Sequence, residues 1–177
     1  TIWMARYLGP AQFGIFNYAL SFVALFGVLS TLGLDKLINK ELLNHPEQND
    51  YTMGTTFVLR FIGALVLLCL SVYSISIVRP NDELMMIMVL IFSSTFFFKT
   101  FEIIKYWFES HVQAKYSATI EAIAIFASVS IKVVLILIEA PLVTFAWAVF
   151  AESVVLSIGL VFIYLAKSNK VTTWKVS

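Results

Sequence analysis

Charge and cysteine are both scarce in this sequence. Asp, Glu, Lys and Arg make up 13% of the residues, about half their share in soluble domains. The 12 basic and 11 acidic side chains nearly cancel, so no field of one sign points to nucleic acid. The single cysteine, Cys69, excludes an intramolecular disulfide framework and a cysteine-cluster metal site. Apolar residues instead reach 60%, more apolar surface than a soluble domain of this length buries. The composition therefore indicates an integral membrane protein.

Five segments are long and apolar enough to cross a bilayer, which takes roughly 20 apolar residues in a helix. Hydrocarbon admits only helices and closed barrels, and runs this long exclude the roughly ten-residue alternation of barrel strands. The sequence therefore predicts an all-α fold, a polytopic transmembrane helix bundle in one domain over residues 1–177. Residues 1–8, before Gly9-Pro10, are expected to be the end of a truncated first helix. The predicted full spans are residues 13–34, 54–78, 84–107, 117–138 and 143–166.

The basic residues predict the orientation of the bundle. Alternate connections between the spans hold only Arg6 and Arg79, whereas the other set holds Lys36, Lys40, Lys99, Lys105, Lys115, Lys167, Lys170 and Lys175. Lysine-rich connections face the cytoplasm under the positive-inside rule, so the turns that contain proline are expected to face outward. Apolar residues recur at helical spacing in residues 35–45, which predicts a short amphipathic helix at the inner surface.

Polar and small side chains recur along one face of three predicted helices. Helical spacing places these residues, among them Asn17, Ser21, Arg60, Ser71, Glu121, Ser128 and Lys132, on stripes. One interpretation is helix packing, since small residues let backbones approach closely. The other is a hydrated cavity lined by the stripes. Intramembrane charges favour the cavity, because lipid penalises them by about 2.5–3.5 kcal/mol at the helix centre.

Glu152 is the charge that lipid would tolerate least. It lies nine residues into its predicted span, roughly 13 Å deep, whereas Arg60 and Lys132 lie close enough to helix ends to snorkel. A short hairpin connects the helix of Lys132 to that of Glu152, so the two lie at similar depth. The sequence predicts an ion pair between them. A direct role of Glu152 in binding substrate or a proton remains an alternative.

Several enzyme chemistries lack their motifs in this sequence. It has no Gly-rich phosphate loop of Walker type, which argues against nucleotide hydrolysis. His45 and His111 fall in predicted connections without clustered acidic or cysteine ligands, so neither resembles a metal site or an acid–base pair. We therefore expect no enzyme activity, no catalytic residue, no metal and no cofactor.

Two runs carry a resemblance to a known family. Residues 5–14 read ARYLGPAQFG and residues 106–116 read YWFESHVQAKY. Both closely resemble Wzx-type polysaccharide flippases of O-antigen and capsule synthesis, within the multidrug/oligosaccharidyl-lipid/polysaccharide superfamily. The resemblance implies the N-terminal half of a MATE-like transporter fold, with membrane lipids and the C-terminal half of the same transporter as partners. It implies flipping of undecaprenyl-diphosphate-linked oligosaccharide across the bacterial cytoplasmic membrane, by alternating access, for polysaccharide biosynthesis.

The family's cavities are typically cationic, which suits a diphosphate because Arg and Lys pair with phosphate oxygens. The expected substrate-binding residues are Arg6, Arg60, Lys132 and Glu152, and the expected cavity-lining residues are Asn17, Ser21, Ser71, Glu121 and Ser128. Two other functions remain open. A multidrug or cation exporter of the same superfamily would use anionic groups such as Glu152, and a non-transporting scaffold subunit would have dry, packed stripes.

Overall fold

The part of the chain that the structure describes is a bundle of helices. The structure is a computed structural model and describes residues 2–31, 38, 41, 49–111 and 113–167. The helices are α1 (Ile2–Thr31), α2 (Asn49–Val78), α3 (Glu83–Lys99), α4 (Ile103–Ser110), α5 (Ala114–Leu137) and α6 (Leu142–Lys167), and a 3₁₀ turn, Thr100–Glu102, joins α3 to α4. No strand occurs in these residues. The all-α prediction is therefore confirmed.

Within those residues, five helices are long and apolar enough to span a membrane. They are Trp3–Val28, Tyr51–Val78, Glu83–Ser110, Ala114–Leu137 and Leu142–Lys167. The five predicted spans are thus confirmed, with α3, the 3₁₀ turn and α4 together forming the third. The predicted amphipathic segment at residues 35–45 lies outside the described residues except for two positions. One of these, Ile38, is buried in a cluster with Met53 and Ile104.

The first span is broken at Gly9. This residue has φ 70° and ψ 171°, a left-handed, non-helical conformation inside α1 that glycine adopts without steric cost, and Pro10 follows it. The segment before the break folds back beside the rest of α1. Met4 is buried in the core, and Trp3 borders the same cleft as Leu20, whereas an unbroken helix would hold residues 3 and 20 about 25 Å apart. We call residues 2–8 the opening segment.

Helix α3 lies at the centre of the bundle. It packs against α1, α2 and α6, while α5 packs mainly against α6. Its span has 44% of its most apolar stretch buried, twice the 22% of every other span. A helix that is apolar all round is stable only when its whole surface is covered, and α3 carries Met85, Met88 and Phe92 in the core. The centre is therefore filled with side chains, and α1 touches α5 and α6 only sparsely.

Two buried hydroxyl contacts fasten α3 to its neighbours. The Oγ atoms of Ser71 in α2 and Ser93 in α3 lie 2.7 Å apart. Ser157 Oγ in α6 donates a 2.8 Å hydrogen bond to the carbonyl of Phe98, close to the 3₁₀ turn. Carbonyls in the last turn of a helix lack an intrahelical partner, so this hydroxyl supplies one. These contacts fix α2 and α6 against the same helix.

The turn between α2 and α3 is held by its own side chains. Asp82 Oδ1 accepts a 3.0 Å hydrogen bond from the Met85 amide and caps α3. Its other oxygen lies 3.2 Å from Arg79 Nη1. Capping satisfies an amide that would otherwise lack a partner at the start of the helix. The four-residue connection therefore sets α2 and α3 antiparallel.

Close packing of α5 on α6 generates the first prediction. We expect Gly159→Ala to lower the free energy of unfolding by about 1–3 kcal/mol, the usual cost of overpacking. The added Cβ would lie 2.8 Å from Cγ2 of Ile120, a branched side chain with little room to move. Thermal and denaturant unfolding in detergent micelles measures the loss. Gly14→Ala is the matched control, because a Cβ at that position meets nothing within 4 Å. An equal loss at both positions would contradict the prediction.

Candidate functional site

A cleft opens between α1 on one side and α5 and α6 on the other. Its volume is 810 Å³. The walls are apolar apart from two side chains, Asn17 of α1 and Lys132 of α5. Trp3 and Met4 of the opening segment form part of one wall. The cleft exists because α1 packs along α2 and α3 and makes few contacts with α5 and α6.

Lys132 is paired across the wall of the cleft. Its Nζ lies 3.3 Å from Oε2 of Glu152 in α6, and Ser128 Oγ donates a hydrogen bond to the same oxygen. The predicted Lys132–Glu152 pair is therefore present, with Ser128 as a second donor. Ser128 lies one turn before Lys132 on α5 and is buried. The three residues join α5 to α6 in the part of the hairpin that borders the cleft.

The pair keeps part of its charge accessible. The side chains of Lys132 and Glu152 are 27% and 32% exposed. Their charges cancel, which lowers the cost of holding each in an apolar environment. An ammonium at the border of an apolar cleft is able to bind phosphate oxygens through charge-assisted hydrogen bonds. The arrangement thus offers an anion a cation whose present partner is a carboxylate.

Asn17 and Ser21 lie one turn apart on α1, and both are exposed. Asn17 borders the cleft, and its Nδ2 donates a 2.8 Å hydrogen bond to the Phe13 carbonyl of its own helix. That bond satisfies one donor of the amide and holds the side chain along the helix. Arg6 is exposed on the opening segment, one turn from Trp3. Of the predicted residues, the structure therefore places Asn17 and Lys132 at the cleft, with Glu152 and Ser128 behind Lys132.

The structure does not bring Arg60 to this cleft, although the sequence suggested a cavity shared with Lys132 and Glu152. Arg60 is buried in α2, and its guanidinium lies over the ring of Tyr106 in α4, with Cζ 5.4 Å from the ring centroid. Helix α2 packs mainly on α1, α3 and α4, away from the α5–α6 hairpin. A guanidinium is attracted to an aromatic face, which offers a partner inside an apolar bundle.

Glu121 and Ser71 also lie in contacts between helices. The Glu121 carboxylate accepts a hydrogen bond from Lys105 Nζ, which joins α5 to α4. Ser71 is fully buried against Ser93 in the interface of α2 with α3. For these two residues the packing interpretation of the stripes describes the structure. The stripe on α5 divides between the two interpretations, since Lys132 borders the cleft while Glu121 does not.

Sequence reasoning missed two features of the site. Tyr7 OH donates a 3.1 Å hydrogen bond to the Ala140 carbonyl, which anchors the opening segment to the turn between α5 and α6. The two residues are 133 positions apart, so no spacing pattern connects them. The Lys105–Glu121 pair did leave a signal. Opposite charges at the facing ends of consecutive helices, joined by a short connection, lie at the same depth. In the described residues, no group of three or more His, Cys, Asp or Glu side chains lies close enough to hold a metal ion.

Comparison with known protein families matches residues 1–175 to the family described as polysaccharide biosynthesis protein. The chain belongs to this family. Comparison with curated proteins and with solved structures gave no match. Polysaccharide biosynthesis proteins act in polysaccharide synthesis or export, and the five apolar spans make this member a multi-pass membrane protein. The part of the resemblance that reaches this family is thereby confirmed.

The ion pair of this polysaccharide biosynthesis protein generates the second prediction. We expect Lys132→Gln and Glu152→Gln each to lower the free energy of unfolding by about 1–3 kcal/mol, because each leaves a half-buried charge without its counter-charge. The double variant should lose less than the sum of the two, since it removes both charges. Denaturant unfolding in micelles gives the coupling energy of the pair. Strict additivity of the two losses would contradict a stabilising contact.

Proposed function

We propose that this chain flips undecaprenyl-diphosphate-linked oligosaccharide across the bacterial cytoplasmic membrane. It acts by alternating access, with the C-terminal half of the same transporter as the second bundle. Two findings support the proposal. The chain belongs to a family of polysaccharide biosynthesis proteins, and its five spans enclose an apolar cleft bordered by a cation. The lysine-rich ends of the helices face the cytoplasm in this proposal, following the positive-inside rule.

The observation that carries the proposal is the position of Lys132. A lipid diphosphate brings negative charge and a long apolar chain to the same site. Lys132 supplies the ammonium for the phosphate oxygens, and the surrounding Val129, Val133 and Ile136 supply apolar surface. The volume of 810 Å³ lies within the range of about 300–1,000 Å³ typical of small-molecule sites, which suits a headgroup more than a whole oligosaccharide.

Glu152 acts in this mechanism as the partner that Lys132 keeps while the site is empty. A bare ammonium in hydrocarbon is costly, so the carboxylate holds it until an anion replaces that contact. Ser128 donates to the same carboxylate oxygen and keeps Glu152 in place. The exchange of one anionic partner for another lets the cation bind phosphate without being exposed to lipid. Membrane lipids and the lipid-linked oligosaccharide are the partners, and no catalytic step or cofactor takes part.

The exporter alternative assigns the opposite roles to the pair. It requires the Glu152 carboxylate to bind a cationic substrate, yet that carboxylate already has Lys132 and Ser128 as donors. The cleft lining includes Lys132 and no acidic side chain. The scaffold alternative requires stripes packed without a cavity, which does not suit the position of Asn17 and Lys132. The flippase accounts for both residues.

Transport by proteoliposomes is the third prediction. We expect Lys132→Gln to reduce flipping of a fluorescent undecaprenyl-diphosphate-linked sugar at least tenfold, because the phosphate loses its counter-charge. Lys132→Arg should keep most of the activity, and Glu152→Gln should keep at least a third. Flipping is measured in the complete protein as the loss of fluorescence that a membrane-impermeant quencher can reach. Lys105→Gln is the matched control, since Lys105 forms a comparable half-exposed ion pair away from the cleft.

The double variant Lys132→Gln/Glu152→Gln separates binding from stability. If Lys132 binds phosphate, this variant stays inactive although it regains stability. Recovery of transport in the double variant would show that the pair is only structural. Loss of transport in Glu152→Gln, together with an active Lys132→Gln, would favour the cation exporter and overturn the flippase.

A further inference from the structure

Two lysines converge on one tyrosine ring where α5 begins and α6 ends. Lys115 Nζ lies 5.1 Å from the centroid of the Tyr116 ring, and Lys167 Nζ lies 4.8 Å from the same centroid. The ring itself rests near the fully buried Phe108, with centroids 6.1 Å apart. We call Lys115, Tyr116 and Lys167 the basic cluster. It lies at the lysine-rich end of the bundle, away from the cleft beside Lys132.

The charges of the basic cluster are not compensated by the described part of the chain. Neither lysine forms an ion pair with a carboxylate there, and the nearby Glu121 carboxylate is occupied by Lys105. Both lysines are exposed. Two ammonium groups held against one ring repel each other. An anion between them would turn that repulsion into two attractions.

The start of α5 adds to the attraction for an anion. Helix α5 is 24 residues long, and its N-cap, Gln113, makes no side-chain capping hydrogen bond. The amides at a helix start carry partial positive charge and bind anions such as phosphate. No acidic side chain lies in the first turn of α5 to take that position. The two lysines and the helix end thus favour the same kind of ligand.

The surroundings of the basic cluster indicate a lipid rather than a free anion. Trp107 and Tyr164 meet edge to face at 5.1 Å at this end of the bundle, as expected of rings at the level of lipid headgroups. Ile123 lies two turns along α5 from Tyr116 on the same face, and it is 58% exposed. A ligand held by the lysines would therefore place an acyl chain against apolar helix surface.

We propose that the basic cluster is a binding site for the headgroup phosphate of an anionic phospholipid. Lys115 and Lys167 pair with the phosphate oxygens, and the Tyr116 hydroxyl lies beside them as a further donor. The acyl chains lie along the lipid-facing surface of α5. The site is separate from the cleft, so it holds whether or not the chain transports lipid-linked oligosaccharide. A lipid with a diphosphate headgroup has related chemistry and serves as a competing ligand in the test.

Native mass spectrometry of the complete protein in detergent tests this site. The probes are phosphatidylglycerol, zwitterionic phosphatidylcholine, a polyprenyl diphosphate and inorganic phosphate. We expect Lys115→Gln and Lys167→Gln each to weaken phosphatidylglycerol binding about fivefold, and the double variant about twenty-fivefold, from the usual contribution of a lysine near a lipid surface. Phosphatidylcholine binding should not change. Lys99→Gln is the control, because Lys99 is an exposed lysine at the same end that lies over a different ring, that of Phe96.

Thermal unfolding provides a second readout. Phosphatidylglycerol should raise the melting temperature of the native protein and of Lys99→Gln, and it should not raise that of the double variant. Unchanged phosphatidylglycerol affinity in the double variant would overturn the proposal. It would also be overturned if the double variant lost polyprenyl diphosphate and kept phosphatidylglycerol, or if inorganic phosphate displaced phosphatidylglycerol at equal concentration.

Discussion

A charged side chain inside hydrocarbon needs a partner, and this requirement sets how the helices of the bundle meet. Three such contacts join different pairs of helices. Lys132 meets Glu152 between α5 and α6, Lys105 meets Glu121 between α4 and α5, and Arg60 lies over Tyr106 between α2 and α4. Apolar packing alone tolerates sliding of one smooth helix along another, since lipid and leucine are equally apolar. Each charge contact fixes one position along such a pair, so the bundle has a defined register.

The spans and one ion pair could be predicted from the sequence because both depend on distance along the chain. A helix has a constant rise, so a long apolar run gives the number of spans. The same rise gives the depth of Lys132 and Glu152, and the short connection between their helices makes those helices neighbours. The break at Gly9-Pro10 is likewise local, since it follows from the backbone preferences of those two residues.

The rest depends on which helices are neighbours, and helical spacing does not contain that information. Arg60 and Lys132 each lie on a polar stripe, yet one faces Tyr106 and the other borders a cleft. Serines on such stripes serve equally well in a tight interface and on a wetted wall. Ser71 lies in the first environment, whereas Ser128 lies behind the second. Only the arrangement around α3, with α1 kept apart from the α5–α6 hairpin, distinguishes them.

The backbone at Gly9 has a consequence for how this cleft is shaped. Trp3 and Met4 reach their wall only because the chain reverses at a left-handed residue. A Cβ at position 9 would touch nothing within 4 Å, so bulk is not what that position excludes. The restriction is on torsion alone, and asparagine, which visits the left-handed region more readily than other residues with a side chain, would disturb the wall less than alanine. One rotation about one bond thus decides whether the cleft has its second side.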